Sequence, residues 1–343
     1  MIIDLPDTTT SSINKRMVEL RETGGAVALG RVLTLVILTE DGDVEAAVEA
    51  ANEASREHPC RVLVLATGSR RGSSRLDAQI RVGGDAGASE VVVLRMYGEL
   101  ARHADTVVVP MLLPDTPLVA WWPGQPPDEP ALHPVGAMAQ RRITDSAMAK
   151  RPSAALAGLA ERHSDGDTDL AWTRITRWRT LLAAALDQPP YERITRAVVT
   201  GASDSPSTEL LAAWLAWALR CPVQRQKTAA GGGMVGVRLE RASGVVELVR
   251  PGGNIATLTQ PGQPPRRVAL SRRRTAECLA EELRRLDPDD VYGDVLTRGL
   301  RLIDDGRRTT VNKATRSAKK TSATPKELTA RALTQTAEKG STS

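Results

Sequence analysis

The 343-residue chain contains no phenylalanine, and aromatic residues make up only 3% of it. Its interior must therefore be filled by Ala, Val, Leu and Ile, and each of the six tryptophans supplies an unusually large share of buried area. Cysteine is scarce too. Cys60, Cys221 and Cys278 are too far apart for a disulfide framework or a CxxC metal site, which points to reduced thiols in a cytosol. No apolar run approaches the roughly 18 residues of a membrane span. The N-terminus, MIIDLPDTTT, is acidic and polar where a signal peptide would be basic and then apolar, so the protein is expected to be cytoplasmic and to meet no membrane.

Catalytic signatures are missing as well. There is no G-x-G-x-x-G, P-loop or G-x-S-x-G, and His58, His103, His133 and His163 share no metal-ligand spacing with one another or with Cys, Asp or Glu. No catalytic residue, cofactor or metal is expected. The nearest approach to a phosphate loop is VVTGASDSPSTELL, where a strand leads through Gly201 and Ser203 into a helix N-terminus. Capping by Ser205 or Ser207 with Pro206 in the first turn explains the same residues without a ligand. GGGMVG at 231–236 has strands on both sides and reads as a hairpin connection.

The charge is present but segregated. Residues 306–343 hold nine Lys or Arg against Glu327 and Glu338, a net +7, so the remaining 305 residues carry −2 of the chain's +5. Five of the eight lysines also lie there, and large aliphatics are nearly absent. This composition predicts a disordered basic tail, whose contact with nucleic acid would be non-specific. A Thr-Pro-Lys-Glu cap at 324–327 could nucleate at most a marginal helix.

Along the body, RVLTLVIL, RVLVLAT and ASEVVVLRM are continuous apolar runs typical of strands buried on both faces, and DAQIRV alternates. Helical stretches such as DVEAAVEAANEAS separate them, and the run closes on TPLVAWW and a proline-rich loop at 123–135. An α/β sheet domain over 1–150 follows. Residues 151–305 predict an α+β domain: a long helix at 169–187, a strand RITRAVVTGA, the helix SPSTELLAAWLAWALR, and short strands VQRQKTA, MVGVRLER, GVVELVR, NIATLTQ and RRVAL joined as an antiparallel meander. Two further helices close it, and 306–343 is the tail. On the long helix, Arg174 falls inside the apolar arc, where a guanidinium must pair with a carboxylate such as Asp145 or carry its head to solvent.

In this order, HPCR, VVVPMLLPDTPLVAWWPGQPP, ITDSA, DLAWTRITRWRTLLAAALD and LLAAWLAWALRCPV give residues 12–303 a resemblance to the OpcA family of glucose-6-phosphate dehydrogenase assembly proteins. The resemblance implies a non-catalytic partner that binds glucose-6-phosphate dehydrogenase and promotes its active oligomer in the pentose phosphate pathway. The body's slight negative charge does not by itself drive association with such a partner, so an anchor of aromatic and arginine side chains is expected, at Trp121, Trp122, Trp172, Arg177 and Arg179. Because Trp121 and Trp122 are consecutive on a strand they face opposite sides of the sheet, and one of them is expected to be exposed beside the proline-rich loop. A divergent nucleotide-binding enzyme, or a nucleic-acid binder acting through the tail, are the alternative readings.

Overall fold

The computed structural model describes residues 1–23, 32–82 and 90–304. The basic tail and its Thr-Pro-Lys-Glu cap lie outside them. The chain forms two compact units. The first comprises residues 1–173 and takes back 273–293; the second comprises 174–272 and the stretch from Asp294 onward. The sequence-based boundary at residue 150 falls inside the first unit.

The first unit is built from β1 (Ile2–Leu5), α1 (Thr10–Thr23), β2 (Leu33–Glu40), α2 (Val44–Ala54), β3 (Cys60–Thr67), β4 (Arg75–Arg81), β5 (Glu90–Tyr97), α3 (Ala104–Val108), β6 (Leu118–Trp122), β7 (Arg141–Thr144), α4 (Pro152–Glu161), β8 (Asp167–Asp169) and α5 (Leu170–Thr173). Its eight strands run in the order β1-β4-β5-β3-β2-β6-β7-β8. β5 to β8 are parallel throughout, and β4 and β1 add antiparallel pairs at one edge. The apolar runs of β2, β3 and β5 are continuous because both faces of the sheet are covered. On one face Leu35, Val62, Val93 and Trp121 pack with α2 and with the returning helix Thr275–Leu283; on the other Val36, Leu63, Val92 and Trp122 pack with Ile13 and Met17 of α1 and with Val107 and Val108 of α3.

The second unit opens with α6 (Thr176–Leu186), followed by β9 (Arg196–Ala202), α7 (Pro206–Leu219), β10 (Val223–Thr228), β11 (Met234–Arg241), β12 (Gly244–Val249), β13 (Ile255–Gln260) and β14 (Gln263–Ala269). After α8 (Thr275–Leu283) and α9 (Asp290–Thr297), within which the division between units falls, β15 (Ile303–Asp304) completes a sheet ordered β14-β13-β12-β11-β9-β10-β15. The antiparallel meander is β11 to β14. β10 departs from the expected meander and lies parallel to β9, joined to it through α7 as a β-α-β unit. The long helix expected at 169–187 is also interrupted. Asp169 ends β8, α5 stops at Thr173, and α6 starts at Thr176 after Arg174, which is half-buried.

The units differ in charge. Residues 1–173 with 273–293 contain 21 Lys or Arg and 30 Asp or Glu, a net −9, whereas 174–272 contain 14 and 6, a net +8. The near-neutral body thus conceals two halves of opposite sign.

Candidate functional site

Strand β6 delivers Trp121 and Trp122 to opposite faces of the first unit's sheet, as strand alternation requires. Both are buried, at 0% and 4% exposure, so the expected exposed member of the pair does not exist. The reason is the proline-rich loop, which folds back over Trp122. The His133 ring meets that indole edge-on at 5.4 Å between centroids, and a Cβ added to Gly136 would lie 3.2 Å from the indole and clash with the Pro130 carbonyl. Trp122 is the floor on which the loop is laid, and Trp121 belongs to the core shared with α2 and α8.

Trp172 is equally buried, at 1% exposure, and has a polar task. Its indole N–H donates to Asp289 Oδ2 at 2.8 Å, while the other oxygen of Asp289 accepts the Tyr292 amide at 2.9 Å, and the two rings meet at 5.8 Å. Its neighbours in the Asp-Leu-Ala-Trp-Thr run do similar work. Thr173 Oγ1 donates to Glu282 Oε1 at 2.5 Å, and the Thr173 carbonyl accepts from Arg273. Glu282 also pairs with buried Arg141 at 2.6 Å, whose second nitrogen donates to the Asp287 carbonyl. The run fastens the returning segment 273–293 into the first unit.

Asp169, fully buried where β8 ends, is the most enclosed carboxylate of this network. Oδ2 accepts from Thr144 Oγ1 (2.7 Å) and the Ser146 amide (2.8 Å); Oδ1 accepts from Ser146 Oγ (2.9 Å) and the Ala171 amide (2.8 Å). Burial, followed by the neighbouring Asp145, raises its pKa above the ordinary value, and the hydrogen bonds from Thr144, Ala171 and Ser146 oppose that rise. Tyr292 is pushed well above its usual pKa, first by burial and then by Asp169 and the surrounding carboxylates. With four internal donors the Asp169 carboxylate has no acceptor site left for a substrate proton. Its arrangement fits a bracket between two strand ends better than an acid or base.

In the second unit, the loop leaving β9 is filled by protein. The Ala202 amide donates to the Gly233 carbonyl and the Ser203 amide to the Thr228 carbonyl, while buried Arg225 takes the Gly201 and Ala202 carbonyls. Ser205 caps α7 by accepting from the Thr208 amide. A phosphate would find these amides already used, in agreement with the capping explanation of the sequence. Among the described residues no group of three His, Cys, Asp or Glu could hold a metal ion. Cys60, Cys221 and Cys278 are buried and form no disulfide.

Arg177 is exposed on α6 and Arg179 is half-buried. Arg177 reaches Ser271 Oγ at 3.5 Å, just past the end of β14. Of the five residues expected to meet a partner, Arg177 is the one that stands on the surface. Buried Glu282, Asp169 and Arg141 and half-buried Asp289 were not among those five, since nothing in the chain's spacing links them. No described helix is long and apolar enough to cross a membrane.

Comparison with known proteins adds the following. A family model for the N-terminal domain of a glucose-6-phosphate dehydrogenase subunit matches residues 51–161, and one for the C-terminal domain of the same kind of subunit matches residues 165–296, together most of the chain. A curated relative from Synechocystis sp., provisionally named OxPP cycle protein OpcA, is 29% identical over 103 residues, which are 29% of this chain and 22% of that protein's length. Among solved structures, a glucose-6-phosphate 1-dehydrogenase from Mycobacterium avium aligns with a TM-score of 0.38 at 12% identity, over 80% of this chain and 91% of that one. A Gfo/Idh/MocA family oxidoreductase from Vibrio cholerae aligns at 0.31 and 10% identity, over 78% of this chain and 95% of that one. Both scores are too low for either likeness to bear on fold or chemistry.

Proposed function

Since the chain belongs to the OpcA family of glucose-6-phosphate dehydrogenase subunits, we propose that it is a non-catalytic cytoplasmic partner that binds glucose-6-phosphate dehydrogenase in the pentose phosphate pathway and favours its active oligomer. The observation that carries this reading is the pair of family matches, one to each half of the body. The saturated hydrogen bonding of Asp169 and the occupied loop after β9 support it from the side of chemistry, because both sites with a catalytic look serve the framework. A partner alters an enzyme only through different affinities for its states, so activation must saturate and must favour one oligomeric or conformational form. In this reading Arg177 and Arg179 contribute contact, and Trp121, Trp122 and Trp172 act indirectly, by holding the surface that does.

The test is a titration of the full-length protein into the dehydrogenase of its own organism, following activity and sedimentation together. A saturable rise in activity, accompanied by a shift in the enzyme's oligomeric distribution, is the expected result. If neither quantity changes at micromolar concentrations, the reading fails.

A further inference from the structure

The second unit carries a slot that the framework leaves open. Helix α6 and the β13–β14 hairpin line a groove of about 440 Å³ that is open to solvent, floored by Leu181, Ala184, Leu258 and Val268 and flanked by Arg266 and Arg267. Arg177 stands on the same helical stripe, four residues before Leu181 and seven before Ala184, and its bond to Ser271 brings it beside the end of β14. Among the described residues no carboxylate lines the groove. One of its two flanking cations is held in place from beneath: Gln260, which is buried, donates to the Ala185 carbonyl at 3.0 Å and accepts from Arg266 at 2.5 Å. The rim belongs to the half of the protein with a net +8, and β14 is the outermost strand of its sheet.

From this geometry we infer that the slot between α6 and the β13–β14 hairpin is where the dehydrogenase docks, through a surface segment that offers an aliphatic side chain to the floor and carboxylates to Arg177, Arg266 and Arg267. This rests on the proposed function. Charge complementarity selects the occupant: a cationic rim attracts an acidic surface and repels a basic one. The apolar floor favours a protein segment over a nucleic-acid backbone, which would leave Leu181, Leu258 and Val268 without a partner. Pro264 and Pro265 remove two amide donors from β14, so the contact comes through side chains in the slot and not through an added strand at that end.

Two substitutions at exposed positions separate charge from shape. Arg267→Glu reverses one rim charge, and Ala184→Gln fills the slot with a good helix former and leaves the rim charges intact. Full-length proteins are titrated against the dehydrogenase by calorimetry at about 50 and about 200 mM salt, with melting curves to verify folding. Each variant is expected to bind about tenfold more weakly, and Arg267→Glu should in addition lose part of the salt dependence that Ala184→Gln keeps. If the unaltered protein binds and both variants match it, the slot is not the dock, although the proposed function survives. If the unaltered protein does not bind, both ideas fall. A self-associated protein that either variant dissociates, seen by sedimentation, would assign the slot to a second copy of this chain. A loss of duplex-DNA affinity in the variants without loss of dehydrogenase affinity would assign it to nucleic acid. Either result overturns the inference.

Discussion

Two adjacent tryptophans in a strand cannot share a core face, and here each has a core of its own. Truncating either therefore removes a large buried side chain from a packed environment. Trp121→Ala and Trp122→Ala should each destabilise the first unit by about 3–5 kcal/mol, read from denaturant unfolding. Near-native stability for the Trp122 variant would mean that the proline-rich loop covers it only loosely. Alternation along the strand is legible in the sequence, and it assigned the two rings to opposite faces. Which elements cover the two rings is not legible, because the covering comes from α1 and α3 on one side and from α2 and a helix some 150 residues downstream on the other. The same holds for Trp172, whose indole partner Asp289 is 117 residues away. An aspartate at the start of a helix looks like an ordinary cap until the fold brings an indole to it.

At the level of elements, the strands buried on both faces were the easiest to read, since their apolar runs admit no other solvent pattern. The break between α5 and α6 was hidden, because the apolar arc continues through Ile175 and nothing like Gly or Pro marks Arg174. The loop after β9 shows how a weak motif resolves. Gly201, the last residue but one of β9 before that loop, is required by crowding: a Cβ would come within 2.7 Å of the Gly233 carbonyl and of Thr208 Oγ1, and within 2.9 Å of the Met234 Cα. Two of those three neighbours are backbone and cannot swing away. Gly201→Ala is thus expected to lower stability by about 1–3 kcal/mol through overpacking, measured by thermal or denaturant unfolding. An unchanged or raised stability would indicate a loop loose enough to rearrange, and would reopen the question of what it can hold.

For the molecule as a whole, acid should loosen the first unit through its histidines. Burial lowers the pKa of His133, which packs on Trp122, and of His163, which packs on Tyr292, with only partial compensation from nearby aspartates. A histidine whose folded-state pKa lies below its unfolded value of about 6.5 contributes stability that is complete above that pH and is lost as pH falls below it. Asp169 works in the opposite sense, since a carboxyl with a raised pKa favours the folded state on acidification. Comparing the unaltered protein with a His133→Gln/His163→Gln variant cancels the Asp169 contribution. The loss of stability between about pH 7.5 and about pH 5.5 should be smaller in the variant, and equal losses would show that neither ring resists protonation. The opposite signs of the two halves are countable in the sequence, since residues 1–173 alone hold 17 Lys or Arg against 24 Asp or Glu; the return of residues 273–293 to the first unit, which the sequence does not show, only widens the contrast.

That return has a consequence for how the protein is made. As the chain leaves the ribosome, β1 to α5 emerge first, yet Arg141 must wait 141 residues for Glu282, and Thr173 must wait 109 for the same carboxylate. In the interval the strands β9 to β14 are synthesised and can pair among themselves, because their meander needs only near neighbours in the chain. The half that is translated second can therefore set first, while the first half waits with an unpaired guanidinium and an uncovered sheet face until α8 arrives to close it.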